Sequence, residues 1–429
     1  MQKVLVVDKN KKPLMPTSPA RARQLLRSGK AAVLRRYPFT IILKNREGGD
    51  TQSIAFKIDP GSRVTGLALV ADFKRGQRVI WAAELTHRGQ QIRDKLLSRR
   101  QIRRSRRNRK CRSRPARFDN RRKPEGWLPP SLRSRVDNII TWGVRLYRFC
   151  PVARISLELV RFDTQLMENP DVSGVEYQQG ELWGYEVREY LLEKWGRKCA
   201  YCGAENVPLE IEHIVPKSRG GSNRISNLTL ACNPCNIAKG NQTAAEFGHP
   251  EVQTKAKPPL KDAAAINATR WARWRELAAM GLPIECGTGG RTKYNRIRQN
   301  YPKAHWIDAA CVGESGETVF IAPNHAALGI RASGWGCRRA QNCDQYGFPR
   351  GKARQIKQVR GFQTGDLARA IVPNGKKAGT HSGRIAVRAS GSFRVGTIDG
   401  ISWKYCRIIH RMDGYDYGQA TETGALSTG

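Results

Sequence analysis

Residues 199–236 read CAYCGAENVPLEIEHIVPKSRGGSNRISNLTLACNPCN, and this stretch decides the fold of the region around it. It begins and ends with cysteine pairs of the form Cys-x₂-Cys, Cys199 with Cys202 and Cys232 with Cys235. Each pair suits a tight turn that presents two thiolates to one ion, and two such pairs complete a tetrahedral zinc site. We expect one structural zinc without an open coordination position. The alternative is four unligated buried thiols.

The residues between the cysteine pairs resemble the motif of the HNH endonucleases, which fold as a ββα-metal unit. Glu212 and His213 stand together at the end of a predicted strand, and Asn227, Asn236 and Lys239 follow. The resemblance implies that His213 is the general base and Asn227 the central asparagine. It also implies that Glu212 and Asn236 bind one magnesium ion and that Lys239 contacts phosphate. The alternative is a strand-end histidine in an inert zinc module.

The composition favours a nucleic-acid partner. The chain of 429 residues carries 76 Lys and Arg against 36 Asp and Glu, a formal net charge of +40. Basic side chains that neutralise phosphates release condensed counterions, so this excess suits a polyanion. We find no apolar run of the roughly 18 residues that a membrane-spanning helix needs. Eleven cysteines without a signal-peptide pattern indicate reduced thiols, and we expect a cytoplasmic protein without a membrane partner.

An arginine-rich segment spans residues 88–123, with 17 Lys or Arg against two acidic residues. A solvated charged helix normally mixes both signs, so we interpret this segment as a helix that lies against phosphates. A solvated helix without a nucleic-acid partner is the alternative. The predicted contacts are Arg99, Arg100, Arg103, Arg104, Arg106, Arg107, Arg109 and Lys110.

Candidate residues of a second site come from distant parts of the chain. The runs SIAFKIDPG, GLALVAD and RVIWAAELT predict an antiparallel meander with Asp59 at the end of its first strand. Glu158 lies in a predicted buried strand, and His305 and Asp308 share one face of a helix. Carboxylates that converge on one point repel one another unless cations lie between them.

The order of these four residues resembles the RuvC-type nucleases of the RNase H fold. The resemblance implies that Asp59, Glu158 and Asp308 meet at a mixed sheet and bind two magnesium ions. It also implies that His305 orients or activates the attacking water. Separate structural roles are the alternative, since an Asp before Pro-Gly is typical of turns.

The first 50 residues predict a small module of their own. KVLVVD is a predicted strand, followed by the motif PLMP and by a helix that Ser18 caps and Gly29 ends. Two more predicted strands complete the module. Beyond residue 315 the chain is Gly-rich and strand-like, with 17 Lys or Arg against three Asp between residues 331 and 411.

Taken together, the order of regions resembles the IscB family of transposon-encoded, RNA-guided DNA endonucleases, which are related to the CRISPR type II effector nucleases. We predict an α+β multidomain protein with an RNase H-like (RuvC) core of mixed sheet and helices, an inserted zinc-bound ββα-metal HNH domain, an arginine-rich bridge helix and a small β-rich C-terminal region. The predicted boundaries are 1–52 for the PLMP module, 53–87, 124–175 and 256–322 for the RuvC segments, 88–123 for the bridge helix, 176–255 for HNH and 323–429 for the basic C-terminal region.

The resemblance also implies partners and a reaction. A guide (omega) RNA would select double-stranded DNA that carries a short adjacent motif, and one protein chain would act within the ribonucleoprotein. HNH would cleave the guide-paired strand and RuvC the displaced strand, both with magnesium. Two alternatives stay open: a guide-independent HNH endonuclease of the homing or structure-specific kind, and a non-catalytic RNA-binding transposon regulator.

Overall fold

The computed structural model describes residues 2–107, 126–159, 188, 190–192, 194–223, 225–256, 261–335, 342–344, 349–351, 357–420 and 426–427. The predicted phosphate contacts Arg109 and Lys110 lie outside the described residues. The helices are α1 (Pro19–Arg27), α2 (Gly89–Arg107), α3 (Pro130–Phe149), α4 (Asn233–Lys239), α5 (Pro250–Ala256), α6 (Lys261–Ala278), α7 (Gly289–Arg298) and α8 (His305–Ala310).

Strands make up most of the remaining regular structure. The first twelve are β1 (Val4–Val7), β2 (Pro13–Thr17), β3 (Ala31–Arg35), β4 (Thr40–Leu43), β5 (Ile54–Asp59), β6 (Val64–Phe73), β7 (Gly76–Thr86), β8 (Val152–Glu158), β9 (Leu209–His213), β10 (Leu228–Cys232), β11 (Ile284–Gly287) and β12 (Val319–Phe320). The others are β13 (Leu328–Ala332), β14 (Asn342–Cys343), β15 (Pro349–Arg350), β16 (Gln358–Val359), β17 (Phe362–Gln363), β18 (Leu367–Val372), β19 (Gly379–Ala386), β20 (Ser392–Val395), β21 (Ile398–Ser402), β22 (Cys406–His410), β23 (Tyr415–Ala420) and β24 (Leu426–Ser427).

The N-terminal module is a four-stranded sheet, in the order β2-β1-β4-β3, with α1 packed on it. Ser18 caps α1 as predicted, because its hydroxyl oxygen accepts a hydrogen bond from the Arg21 amide at 3.2 Å. The PLMP motif is not a connection between elements. It forms most of strand β2, where Leu14 and Pro16 are buried and the residues between them are half-buried.

A nine-stranded mixed sheet is the largest unit in the described part of the chain, with the order β11-β8-β5-β6-β7-β13-β23-β24 and β12 paired to β7. Strands β5, β6 and β7 form the predicted antiparallel meander. Strand β8 joins β5 in parallel, and β11 joins β8 in parallel. The other edge takes β13, β23 and β24 from the region that we predicted as a separate C-terminal unit.

One face of this sheet holds the main hydrophobic core. Phe56 and Ile58 of β5 pack there with Trp142 of α3 and Leu277 of α6, and all four side chains are buried. Successive strand residues point to opposite faces, so Asp59 belongs to the face opposite Ile58. By the same alternation, Glu158 lies opposite the buried Leu157 of β8. The sheet therefore presents both carboxylates on one side.

Helix α8 covers that second face. Ile307 and Ala310 of α8 are buried against Ala68 of β6 in a separate core. The approach is close, since a Cβ at Gly66 of β6 would lie 1.8 Å from the backbone oxygen of His305. Only glycine allows this crossing, which brings the start of α8 over the strand beside Asp59.

Two smaller units contain most of the remaining described strands, and the pairs β14–β15 and β16–β17 form separate two-stranded sheets. Strands β9 and β10 form an antiparallel pair whose buried residues pack with helix α5 and with residues 190–192. Strands β18 to β22 form a five-stranded antiparallel sheet in the order β21-β20-β19-β18-β22 around Phe393. None of the helices in the described ranges combines the length and the apolar character that a membrane span would require.

Candidate functional site

The four predicted zinc ligands come together. The Sγ atoms of Cys199, Cys202, Cys232 and Cys235 all lie within 4.8 Å of one another. This is the one such cluster found among the described residues, and its donor set of four sulfurs suits tetrahedral zinc. The cluster fixes the start of this region to the end of β10 and the start of α4.

The Cys199 thiol is prepared for metal binding. Burial works against its thiolate, but hydrogen bonds from the backbone N–H groups of Cys202, Cys232 and Tyr201 lower its pKa to about 6. A thiolate is the form of cysteine that binds zinc. The backbone N–H groups of the turn therefore favour the thiolate form of Cys199 before a metal ion binds.

The predicted metal ligand Glu212 is held by two partners inside the domain. The buried ammonium of Lys239 donates to Glu212 Oε1 at 2.6 Å and to the carbonyl oxygen of His213 at 3.0 Å. The hydroxyl of Tyr201 donates to Glu212 Oε2 at 2.6 Å. A metal ion at Glu212 would have to compete with these donors. Lys239 is 1% exposed, so it would have to leave this site to contact phosphate. The predicted contact between Lys239 and phosphate stays a prediction.

His213 stands at the end of β9, half-buried, with Nε2 2.8 Å from Asn223 Oδ1. The loop that follows is held by Asn227, which is buried. Its Oδ1 accepts from the Val215 amide, and its Nδ2 donates to the carbonyl oxygens of Val215 and Ser222, each at 2.9 Å. Asn227 therefore holds the loop beside His213 in place, and both N–H donors of its amide are used in doing so.

Asn236 contacts a carboxylate that the sequence reasoning missed. Its Nδ2 donates to Glu210 Oε2 at 2.6 Å, and Asn233 Nδ2 lies 3.3 Å from Glu210 Oε1. These two hydrogen bonds lower the pKa of Glu210 below its usual value. The signal was available, because Glu210 and Glu212 stand two apart on one strand and so face the same side.

A second set of residues, Asp59, Glu158, Asp308 and His305, forms what we call the acidic cluster. Asp59 and Glu158 end the neighbouring parallel strands β5 and β8. His305 Nδ1 lies 3.4 Å from Asp59 Oδ2, and Asp308 follows one turn later on α8. The side chain of Asp308 makes an ion pair with Arg296 of α7, whose Nε is 2.7 Å from Oδ1.

The carboxylates of the acidic cluster repel one another. Burial, followed by the charge of Asp59, raises the pKa of Glu158 well above its usual range. Burial and the same charge raise the pKa of Asp308 to about 6, although Arg296 opposes the shift. Burial would lower the pKa of His305, but its hydrogen bond to Asp59 and the nearby acids raise it. An added positive charge would relieve this repulsion.

Arg273 of α6 is a further residue at the acidic cluster that the sequence gave no reason to single out. It is 2% exposed, and its charge acts on Asp59 and Glu158. Its Nε and Nη2 atoms have no hydrogen-bond partner among the described residues. Arg273 thus places a buried guanidinium near Asp59 and Glu158 without forming an ion pair with either acid among the described contacts.

Four of the predicted phosphate contacts on α2 lie on the surface of the protein. Arg99, Arg100, Arg103 and Arg104 are all exposed. Arg106 and Arg107 belong to the last turn of the helix. The sequence Arg103–Arg107 reads RRSRR, a dense positive segment. Arg99, Arg100, Arg103 and Arg104 are therefore accessible to phosphate.

Two protein families match separate parts of the chain. Residues 4–180 match the family described as RRXRR protein, and residues 199–242 match the family described as HNH endonuclease. The matches confirm the predicted succession of an arginine-rich N-terminal part and an HNH domain. None of the curated proteins matches the chain.

Solved structures of Cas9 proteins show a distant likeness. Streptococcus thermophilus Cas9 in complex with the GGAA PAM is 11% identical with a TM-score of 0.21, and the match covers 60% of this chain and 32% of that one. The type II-C Cas9 from Actinomyces naeslundii is 17% identical with a TM-score of 0.16, covering 44% and 29%. The chain thus spans about a third of these proteins or less.

Proposed function

We propose that this protein is an RNA-guided, magnesium-dependent DNA endonuclease of the IscB kind, with two separate cleavage sites. The observation that carries the proposal is that Asp59 and Glu158, at the ends of neighbouring strands, lie with Asp308 of the covering helix α8 in a chain that also contains an HNH domain. The mixed order of β5 to β8 and the position of the acids at their ends support an RNase H-like, RuvC-type core.

In the RuvC-type site, Asp59, Glu158 and Asp308 would hold two magnesium ions. Bound magnesium stabilises negative charge on the phosphate and on the leaving oxygen. His305, hydrogen-bonded to Asp59, is placed to orient the attacking water. Arg296 and Arg273 keep positive charge beside the acids, which limits their mutual repulsion.

In the HNH site, His213 would take the proton from the attacking water. It is half-buried at a strand end, and the loop around it is fixed by Asn227. One magnesium ion bound near Glu212 and Asn236 is part of the proposal, as HNH nucleases use a divalent metal. One structural zinc at the four cysteines would hold the strands and α4 in register.

The guide-binding part of the proposal rests on charge. The net charge of +40 and the exposed arginines of α2 favour a polyanion that runs along the protein surface. We propose a single protein chain bound to a structured guide RNA, with α2 as the bridge helix and the basic C-terminal region near the motif that flanks the target. HNH then cuts the guide-paired strand and RuvC the displaced strand.

Reprogramming tests this function directly. The RNA that co-purifies with the protein is sequenced, its guide segment is replaced, and the complex is given plasmids with the old and the new target. Guided cleavage predicts that the cut moves to the new target and requires magnesium. Cleavage that stays at one sequence without RNA would support a guide-independent HNH endonuclease instead, and RNA binding without any cut would support a regulator.

A further inference from the structure

Arg135 of α3 lies buried between the turn after Asp59 and the start of α2. It is 6% exposed. Its Nε donates to the carbonyl oxygen of Ser62 at 2.8 Å, and its Nη1 donates to the carbonyl oxygen of Ser131 at 2.7 Å. Ser62 stands three residues after Asp59, so one guanidinium anchors the turn that leaves the acidic cluster to helix α3.

The same guanidinium packs against the first residue of the arginine-rich helix. A Cβ at Gly89 would lie 2.3 Å from Arg135 Nη1 and 2.8 Å from the carbonyl oxygen of Ser131. Only glycine therefore leaves room for Arg135 at this point. The start of α2 and the turn after Asp59 share one buried contact.

His87, two residues before α2, makes further hydrogen bonds at this junction. Its backbone N–H donates to the carbonyl oxygen of Arg63 at 2.8 Å. Its ring nitrogens lie 2.8 Å from Thr65 Oγ1 and 3.2 Å from Asn138 Nδ2. Because an amide nitrogen donates, Nδ1 of His87 accepts from Asn138 and Nε2 donates to Thr65. The half-buried ring thus links α3 to strand β6.

We infer that Arg135 is a positioning residue for Asp59, and that together with His87 it fixes the start of the arginine-rich helix relative to the acidic cluster. The inference rests on the proposed function, since it assigns Arg135 to the RuvC-type reaction. The hydrogen bonds and close approaches given above for this junction, which consists of Ser62, His87, Gly89, Arg135 and Asn138, do not involve β9, β10 or α4. Its loss should therefore affect one cleavage site and not the other.

The expected loss of cleavage rate on replacing Arg135 follows from the geometry of its hydrogen bonds. Without the Arg135 guanidinium the Ser62 carbonyl loses this hydrogen bond, and the turn that begins at Asp59 loses this anchor to α3. A displacement of about 1 Å in a catalytic group can reduce a rate roughly a hundredfold. Lysine at position 135 could reach one of the two carbonyl oxygens but cannot supply the planar fork that serves both.

The test is strand-resolved cleavage of a guide-matched plasmid by the full chain bound to its RNA. We expect R135Q to slow cleavage of the displaced strand about tenfold to a hundredfold. Cleavage of the guide-paired strand should stay within about twofold of wild type, and R135K should recover part of the lost rate. R133Q is the matched control, because Arg133 is exposed on the same helix and pairs with Asp137 at 2.7 Å.

The possible results distinguish the positioning role of Arg135 from the proposed function of the acidic cluster. Equal slowing of both strands by R135Q and R135K, or no slowing of either strand, would overturn the assignment of Arg135. A wild-type protein that never cuts the displaced strand would instead overturn the proposed function of the acidic cluster. A selective loss on the displaced strand, partly restored by lysine, supports the role as a positioning residue.

Discussion

In the HNH region a lysine of the same domain neutralises Glu212, whereas the acidic cluster gathers carboxylates that its neighbouring arginines do not fully neutralise. Lys239 and Tyr201 occupy both oxygens of Glu212. In the acidic cluster, Asp308 has Arg296, yet its pKa is still raised to about 6, and burial and the charge of Asp59 raise the pKa of Glu158 well above its usual range. Lys239 thus supplies a cation to Glu212 in the HNH region, whereas the acidic cluster has less positive charge than its carboxylates require.

This difference predicts two kinds of dependence on metal. The acidic cluster gains stability from any cation that enters it, since repulsion between its acids is relieved. The HNH region gains its stability from the four-cysteine cluster and from the buried ion pair. A metal ion near Glu212 would have to displace part of an existing network. Variants that change only one of the two regions test this difference.

Loss of the zinc ligands should have the largest effect, and it should be confined to the HNH region. Structural zinc contributes about 10–16 kcal/mol in zinc-finger peptides. We expect Cys232→Ser to abolish the hydrogen-exchange protection of β9 and β10 while β5 and β6 stay protected. Cys286→Ser is the control, because Cys286 is exposed and outside the cluster. Protected β9 and β10 amides in a protein without metal would contradict this division.

Removal of Lys239 should have the next largest effect. Lys239→Met leaves the buried carboxylate of Glu212 without its cation, and breaking a buried pair costs about 3–5 kcal/mol. The free energy of opening of β9 and β10, measured by hydrogen exchange in the full chain, should fall by that amount. Lys198→Met removes a surface pair with Glu205, in which both side chains are about half exposed. That control should cost less than about 1 kcal/mol, and an equal cost for both variants would refute the buried pair.

The acidic cluster should show a smaller effect that depends on pH. The pKa of Asp308 rises from 3.8 to about 6, so the folded chain keeps a proton that the unfolded chain loses between these values. Without magnesium, the stability that Asp308 contributes therefore falls as pH rises through this window. Magnesium binds the ionised form, so its stabilising effect should grow from about pH 5 to about pH 7.5.

The measurement is the midpoint of thermal unfolding with and without millimolar magnesium at both pH values. We expect the magnesium-dependent shift to be several degrees larger at the higher pH. Asp308→Asn cannot ionise at this position and should flatten the pH dependence. An identical magnesium shift at both pH values in the wild type would show that the acids of the cluster are not coupled to cations.

Much of the framework of both sites could be predicted from local patterns. The cysteine spacing predicted the four-sulfur cluster, and alternation along the chain predicted the meander whose first strand ends at Asp59. Helical spacing placed His305 and Asp308 on one helix. These features depend on residues that are close in sequence or on a fixed ligand geometry.

What could not be predicted depends on contacts between distant side chains. Nothing local shows that Lys239 binds Glu212, that Arg273 is buried beside the acids, or that Arg135 reaches Ser62. The pairing of β13 and β23 with the main sheet was missed for the same reason, since β7 and β13 are far apart in sequence. Patterns predict which face of an element is buried, and the tertiary fold decides which residue it meets.

Strand-resolved cleavage of a guide-matched plasmid tests the central claim of two independent sites most directly. His213→Ala should leave a nick in the displaced strand alone, and Asp59→Ala a nick in the guide-paired strand alone. Loss of the general base His213 costs about 10²–10⁴-fold in rate, so the cut in the guide-paired strand should be absent on the time scale of the other cut. Double-strand breaks from either single variant at the wild-type rate would contradict the account.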